Sequence, residues 1–217
     1  MTAEGLAELE ARALPGAGAC NLLGTANSMN FLTEGLGMCL PGSAVPAVTG
    51  QRLALAKRSG QMIMELWEKN ITPRQIITRQ ALENAIALDM AIGGSSNTVL
   101  HLTALAYEAD IDFDVRVFDE MAPKIPHLVK MSPAENGHYP EDIRRAGGIG
   151  AVLERLRKLG LLHDDALTVN GRTMAEDVEG VEVIDPEVIR PLENAYSKTG
   201  GLKLVFGNLA PKGAVCK

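Results

Sequence analysis

The sequence predicts a helix-rich α/β chain. Three observations carry that prediction. Apolar residues recur at helical spacing through most of the 217 residues. Strand signals are few and short. From Leu202 onward the pattern changes to brief apolar runs around a Gly/Pro turn.

In chain order, Leu6, Leu9 and Ala13 share one face of a short opening helix. Ala26, Met29, Leu32 and Leu36 give a second helix from about Thr25 to Gly37, stopped by Gly37 and by Pro41-Gly42-Ser43. A third, about Gln51 to Lys69, carries Leu55, Ile63, Leu66 and Trp67. Thr72-Pro73 then reads as the cap and first position of a fourth helix that ends near Ile92. After Gly93–Asn97 a fifth holds Val99, Leu102 and Ala106 in register. Another follows Gly147-Gly148, with Val152, Leu156 and Leu159, and stops at Gly160. His127–Met131 is a candidate buried strand, and Asn170-Gly171 is a hairpin-turn signal. Leu202–Phe206 and the final residues read as two strands around a turn. An apolar strand with nothing after it raises the expectation of a truncated chain.

Composition bounds the partners. Hydrophobic residues are 46% of the chain, enough for an ordinary core, and aromatics only 4%, so Leu, Ile, Val, Ala and Met must fill it. The net charge of −6 argues against nucleic acid, which wants a cationic surface. No stretch approaches the ~18 apolar residues of a membrane span. The acidic N-terminus lacks the regions of a secretory signal. Three cysteines are too few and too odd for a disulfide framework, and point to a reducing cytoplasm.

Cys20 draws notice because it stands just before a helix start whose free amides and positive dipole end favour negative charge. Gly16, Gly18 and Gly24 would let the backbone approach a bulky group. Two readings stand side by side: a small buried hydrophobe, or one ligand of an anionic metal cluster. The three cysteines do not form a site together, since Cys39 lies roughly 20 Å along the helix axis from its start. The four histidines, His101, His127, His138 and His163, lack ligand spacing. Gly93-Gly94-Ser95-Ser96-Asn97 is the second candidate: glycines, hydroxyls and an amide at a helix start suit a carboxylate or phosphate. The simpler reading is a turn with Ser95 or Ser96 as cap. The glycines of Arg144–Val152 fit close helix–sheet packing, and Asp110, Asp112 and Asp114 fit a solvated loop.

Five blocks, "GACNLLGTANSMNFLTEGLGMCLPGS", "AIGGSSNTVLHLTALA", "AGGIGAVLERLRKLGLL", "LTVNGRTMAEDV" and "GGLKLVFGNLAPKGAVCK", resemble the dihydroxy-acid dehydratase / phosphogluconate dehydratase family. The resemblance covers nearly the whole chain in order. "GTANSMNFLTEGLGM" and "NLAPKGAV" are closer to the dihydroxy-acid branch. The family's enzymes are much longer. The resemblance implies that residues 1–200 are the later part of an N-terminal α/β cluster-binding domain, a helix-rich layered domain with a short, mainly parallel sheet. Residues 201–217 would be the first strands of a truncated C-terminal barrel-like domain.

The implied activity is that of a hydro-lyase of branched-chain amino-acid biosynthesis, which dehydrates a 2,3-dihydroxy carboxylic acid to a 2-keto acid. In the family an iron–sulfur cluster (2Fe–2S or 4Fe–4S) on three cysteines acts as Lewis acid on the departing 3-hydroxyl. Mg²⁺ binds the carboxylate and 2-hydroxyl, and a serine takes the proton from C2. Cys20 matches the third cluster cysteine. The other two lie upstream, as do Mg²⁺ ligands that include a modified lysine beside an aspartate. One further Mg²⁺ ligand and the catalytic serine lie beyond Lys217. No catalytic residue is therefore expected within this chain. The cluster and Mg²⁺ are expected to be absent from it, and the isolated chain to be inactive. Ser95, Ser96 and Asn97 match a block near the active site and are the candidate substrate-binding residues. Cys39 and Cys216 match no ligand. The implied partners are a small-molecule dihydroxy acid and, in the full-length enzyme, a second copy in a homodimer, without nucleic acid or membrane. Two alternatives stay open: a sugar-acid dehydratase of the same family, and a non-catalytic module that keeps the pattern.

Overall fold

The computed structural model describes residues 2–13, 19–44, 50–134 and 137–217, with the side chains of residues 10 to 13 left aside. Its helices are α1 (Ala3–Ala13), α2 (Thr25–Gly35), α3 (Gly50–Glu68), α4 (Pro73–Ile76), α5 (Arg79–Ile92), α6 (Asn97–Glu108), α7 (Arg116–Met121), α8 (Pro140–Arg145), α9 (Gly148–Lys158) and α10 (Met174–Val178). A single turn of 3-10 helix spans Leu192–Asn194, and two strands, β1 (Lys203–Val205) and β2 (Ala214–Cys216), close the chain.

Helix α5 is the axis of the fold. The Thr78 hydroxyl caps it by accepting the Ala81 N–H at 3.2 Å. Gly93 ends it in the left-handed region, at φ 59°, with its N–H on the Asp89 carbonyl. Between these ends, every residue from Ala81 to Ile92 except Glu83 is buried. A helix that is apolar nearly all round must be covered on all sides, and α2, α6, α7 and α9 cover it. At Gly35 a Cβ would stand 3.1 Å from the Ala85 Cα, so the missing side chain sets how closely α2 approaches α5. Both polar atoms of the buried Asn84 amide have partners. It donates to the His163 carbonyl at 3.0 Å and accepts the His163 N–H at 2.7 Å, which fastens the loop after α9 to the axis. Leu40, Met62, Ile76 and Val169 form a second, small cluster under α3.

The sheet departs from expectation. Among the described residues the only one is the antiparallel β1–β2 pair, with Leu204 opposite Val215. The short, mainly parallel sheet is therefore corrected to an antiparallel hairpin, while the helix-rich character stands. Buried Leu202 and Leu204 and the Lys203–Asp119 ion pair at 2.7 Å dock the hairpin on α7. His127–Met131 is not a strand either. Its Leu128 and Val129 amides both reach back to the Ala91 carbonyl, and only His127 bridges Ser197. The Asn170-Gly171 turn forms, closed by a lone bridge between Leu167 and Thr173.

The expected fourth helix is two. The chain leaves helical geometry at Ile77, ψ 90°, and restarts at Thr78. Gly147 serves a loop rather than a sheet, because a Cβ there would stand 2.5 Å from the Glu182 carbonyl oxygen. Asp110, Asp112 and Asp114 are exposed, and two of them form ion pairs, Asp110 with Arg74 and Asp114 with Arg116. Leu6 and Leu9 of α1 are exposed.

Glu34 ties the turn after α2 back onto that helix. Its carboxylate takes the Ala44 N–H at 2.6 Å and is further bonded by the backbone of Gly42 and Ser43. Burial outweighs these bonds and raises its pKa from 4.5 to about 7. A folded value above the unfolded one means stability that is complete below pH 4.5 and lost as the pH rises through about 7. Glu34→Gln should shrink the loss of unfolding free energy between about pH 5 and pH 8, by on the order of 3 kcal/mol, in urea titrations. An unchanged pH dependence would show that this carboxyl is not the source.

Candidate functional site

The first turn of α2 holds two loops at once. On one side stands the loop that carries Cys20. The Asn27 side-chain amide donates to the Cys20 carbonyl at 2.6 Å and to the Leu22 carbonyl at 2.7 Å. Leu23 is buried, and its N–H bonds the Ser132 carbonyl at 2.8 Å. These bonds fix the backbone around Cys20 and leave its side chain out. The thiol is exposed, with one long contact to the Leu22 carbonyl at 3.9 Å. The packing reading of Cys20 thus finds no support, and its sulfur is open to an incoming group. Gly24 also fits that approach, since a Cβ there would meet nothing within 4 Å. Gly16 and Gly18 lie outside the described residues.

On the other side stands the start of α6. Thr25 Oγ1 accepts from Asn97 Nδ2 at 2.7 Å and shares a 3.2 Å hydroxyl bond with Ser95 Oγ. The buried Ser28 hydroxyl accepts the Ser95 N–H at 2.9 Å. Ser95 Oγ in turn accepts the Asn97 N–H at 3.2 Å, so Ser95 is the capping residue of the pair. Ser96 and Asn97 are exposed and Ser95 half-buried, so hydroxyl and side-chain amide groups meet solvent at the start of α6. An open apolar groove of about 540 Å³ runs on from Thr25 between α2 and α6, lined by Met29, His101 and Leu105.

Asp89 lies directly beneath this turn and was not singled out in the sequence. It is fully buried. Oδ2 accepts the Thr98 hydroxyl at 2.6 Å, and Oδ1 has no hydrogen-bond partner. Burial lifts its pKa from 3.8 to about 7, against the Thr98 bond and the charge of Lys217. The Gly94 backbone lies so close that a Cβ there would collide with Oδ1. Beyond Gly93 opens a cleft of about 730 Å³, lined by His127, Lys130, Gly200, Gly201 and Lys217. His127 Nε2 is buried there without a partner, and burial holds its imidazole below the usual range. The legible clue to Asp89 was a single charge inside the apolar run Ala85–Ile92.

The remaining cysteines stand apart in character. Cys39 is half-buried in a small cavity with Glu34 and Asp177, and burial pushes its thiol up. Cys216 is exposed on β2. Among the described residues no three His, Cys, Asp or Glu side chains gather closely enough to hold a metal ion. None of the described helices is long and apolar enough to cross a membrane. The donor set offers a single thiolate-type ligand at Cys20, which fits one corner of a cluster and not a whole one.

The two glycines separate shape from conformation. Gly94→Ala should lower stability by about 2 kcal/mol or more, because backbone must yield to the buried carboxylate. Gly24→Ala should cost no more than about 1 kcal/mol, since open space receives the methyl and only the N-cap preference for Gly over Ala is lost. Equal losses in thermal unfolding would contradict this packing of the 93–97 turn.

Residues 1–177 match the family model described as dihydroxy-acid/6-phosphogluconate dehydratase N-terminal. A dihydroxy-acid dehydratase of Ignicoccus hospitalis is 55% identical over 215 residues, which is 99% of this chain and 39% of the relative. Those of Carboxydothermus hydrogenoformans and Caldanaerobacter subterraneus are 52% and 50% identical over 218 residues, again 39% of their length. The chain thus spans about two fifths of these relatives, and by the family-model match it belongs to the dihydroxy-acid/6-phosphogluconate dehydratase family.

Proposed function

We propose that this chain is the Cys20-bearing part of a hydro-lyase that converts a 2,3-dihydroxy carboxylic acid to a 2-keto acid, in the cytoplasmic synthesis of branched-chain amino acids. In this reading residues 1–200 are the later part of the N-terminal domain, and residues 201–217 begin the C-terminal one. The observation that carries it is the open Cys20 thiol on a loop braced by Asn27. It lies within the first of the family-like sequence blocks. All the relatives compared above bear the name dihydroxy-acid dehydratase, which favours that substrate class over sugar acids.

Cys20 would hold one iron of a cluster completed by cysteines outside this chain. The bound cluster and Mg²⁺ would supply Lewis-acid stabilisation of the leaving hydroxide and of the charge that develops next to the carboxylate. The chain's own residues do the rest. Asn27 keeps the Cys20 backbone from drifting, so less reorganisation is needed to place the sulfur. Ser95, Ser96 and Asn97 present a hydroxyl-rich helix start to a substrate oxygen, and Thr25 holds that start in register with the Cys20 loop. The groove between α2 and α6 offers the apolar wall that an alkyl side chain needs.

A chimera tests this reading directly. The Ignicoccus hospitalis dihydroxy-acid dehydratase would carry residues 1–217 in place of its own matching stretch. It should dehydrate a branched 2,3-dihydroxy acid, whereas Asn97→Ala within it should raise KM about tenfold with the fold intact. A folded, cluster-loaded chimera without turnover, or one that prefers aldonic acids, would contradict the proposal. The unassisted 217-residue chain should give no turnover after anaerobic treatment with iron and sulfide, and turnover there would overturn its description as one part of the enzyme.

A further inference from the structure

Helix α9 carries a guanidinium that the chain leaves unpaired, and it lines a cavity. Ala151, Arg155 and Leu159 stand four residues apart and so share one face of the helix. The segment after α10 runs along the start of α9. The Ile184 N–H donates to the Ala146 carbonyl at 2.8 Å, and a Cβ at Gly150 would stand 3.5 Å from the Val181 side chain. The 3-10 turn, with Pro191 before it, comes back to the same place. Between α9, residues 181–183 and residues 191–193 opens a cavity of about 420 Å³. None of these residues belongs to the Cys20 loop or to the 93–97 turn.

The charges around this cavity differ in how far they are satisfied. Glu154 is fully engaged. Arg157 holds both of its oxygens, at 2.6 and 3.0 Å, and Lys158 stands at 3.3 Å. Arg155 is not. Its Nη1 is buried without a hydrogen-bond partner. Burial lowers its pKa, and the attraction of Glu193 offsets only part of that cost; a guanidinium stays charged nonetheless. Glu182 and Glu193 also line the cavity and are exposed, and among the described residues neither forms an ion pair. An unpaired, partly buried guanidinium is costly, and its planar fork fits a carboxylate. Two unpaired carboxylates fit an ammonium group. Aliphatic side chains, Val181, Val183, Leu159 and the 49% exposed Leu192, supply the wall between them. A simple anion would meet both glutamates, and a simple cation would meet Arg155. A molecule with both charges satisfies both sides. We infer that this cavity binds a zwitterionic aliphatic α-amino acid, with its carboxylate on Arg155, its ammonium on Glu182 or Glu193, and its side chain against Val181, Val183 and Leu192.

NMR titration of the ¹⁵N-labelled 217-residue chain with L-leucine tests this. Saturable shifts should appear in α9 and in residues 181–183 and 191–193, with a dissociation constant on the order of 1 mM. 4-Methylpentanoate lacks the ammonium, 3-methylbutylamine lacks the carboxylate and glycine lacks the side chain. Each should bind at least tenfold more weakly than leucine. Arg155→Ala should weaken leucine at least tenfold. Glu182→Gln combined with Glu193→Gln changes only exposed positions, so the fold stays intact by circular dichroism. It should weaken leucine to the same degree without weakening 4-methylpentanoate. No shift at about 20 mM leucine would overturn the inference. So would 4-methylpentanoate binding as tightly as leucine, which would mark a plain carboxylate site, or leucine binding that the paired glutamine variant leaves unchanged.

Discussion

The hydrogen bonds of α2's first turn are what the candidate site depends on. Asn27 reaches backwards to two carbonyls of the Cys20 loop, and Thr25 and Ser28 reach across to Ser95 and Asn97. Two loops distant in sequence therefore share one rigid platform. A loop thiol left to itself would sample many positions. Here its backbone is held by a buried amide whose donors are both used, the arrangement that makes a polar contact specific rather than merely tolerated.

Behind that platform the chain is packed to the limit of glycine. A side chain at Gly93 would bring a Cβ to within 2.6 Å of His127 Nε2, one at Gly201 to 2.5 Å from the Gly93 Cα, and one at Gly94 onto the Asp89 carboxylate. The end of α5, the His127 segment and the start of the hairpin can converge only because those positions carry hydrogen. Two of the buried polar atoms without a partner, Asp89 Oδ1 and His127 Nε2, lie against the Gly93-Gly94 backbone. Such groups are costly in a core, and their nearness to the open cleft at Lys217 places that cost where ligand chemistry is expected.

Much of this was legible in the residues. Helical periodicity and glycine stops located α2, α3 and α9, and the start of α6, to within a residue or two, because each is bounded by chemistry that acts locally. Cys20, Ser95 and Asn97 stood out for the same reason: unusual residue types at helix starts. What escaped is decided at a distance. The break at Ile77 is a capping choice that Thr78 makes within an uninterrupted apolar pattern. His127–Met131 has the composition of a strand, yet it lies along α5 and bonds the Ala91 carbonyl instead of a sheet. Asn27 and Thr25 look like ordinary helix residues until their partners arrive from elsewhere in the chain.

Cys20, and neither Cys39 nor Cys216, is the residue proposed to anchor a cluster within the complete enzyme. Iron and sulfide per polypeptide, measured on anaerobically purified chimeras of the Ignicoccus relative, test it most directly. Cys20→Ser should abolish bound iron and sulfide, and Cys39→Ser and Cys216→Ser should leave both at the parent level. A Cys20→Ser protein that keeps its full cluster would contradict the account.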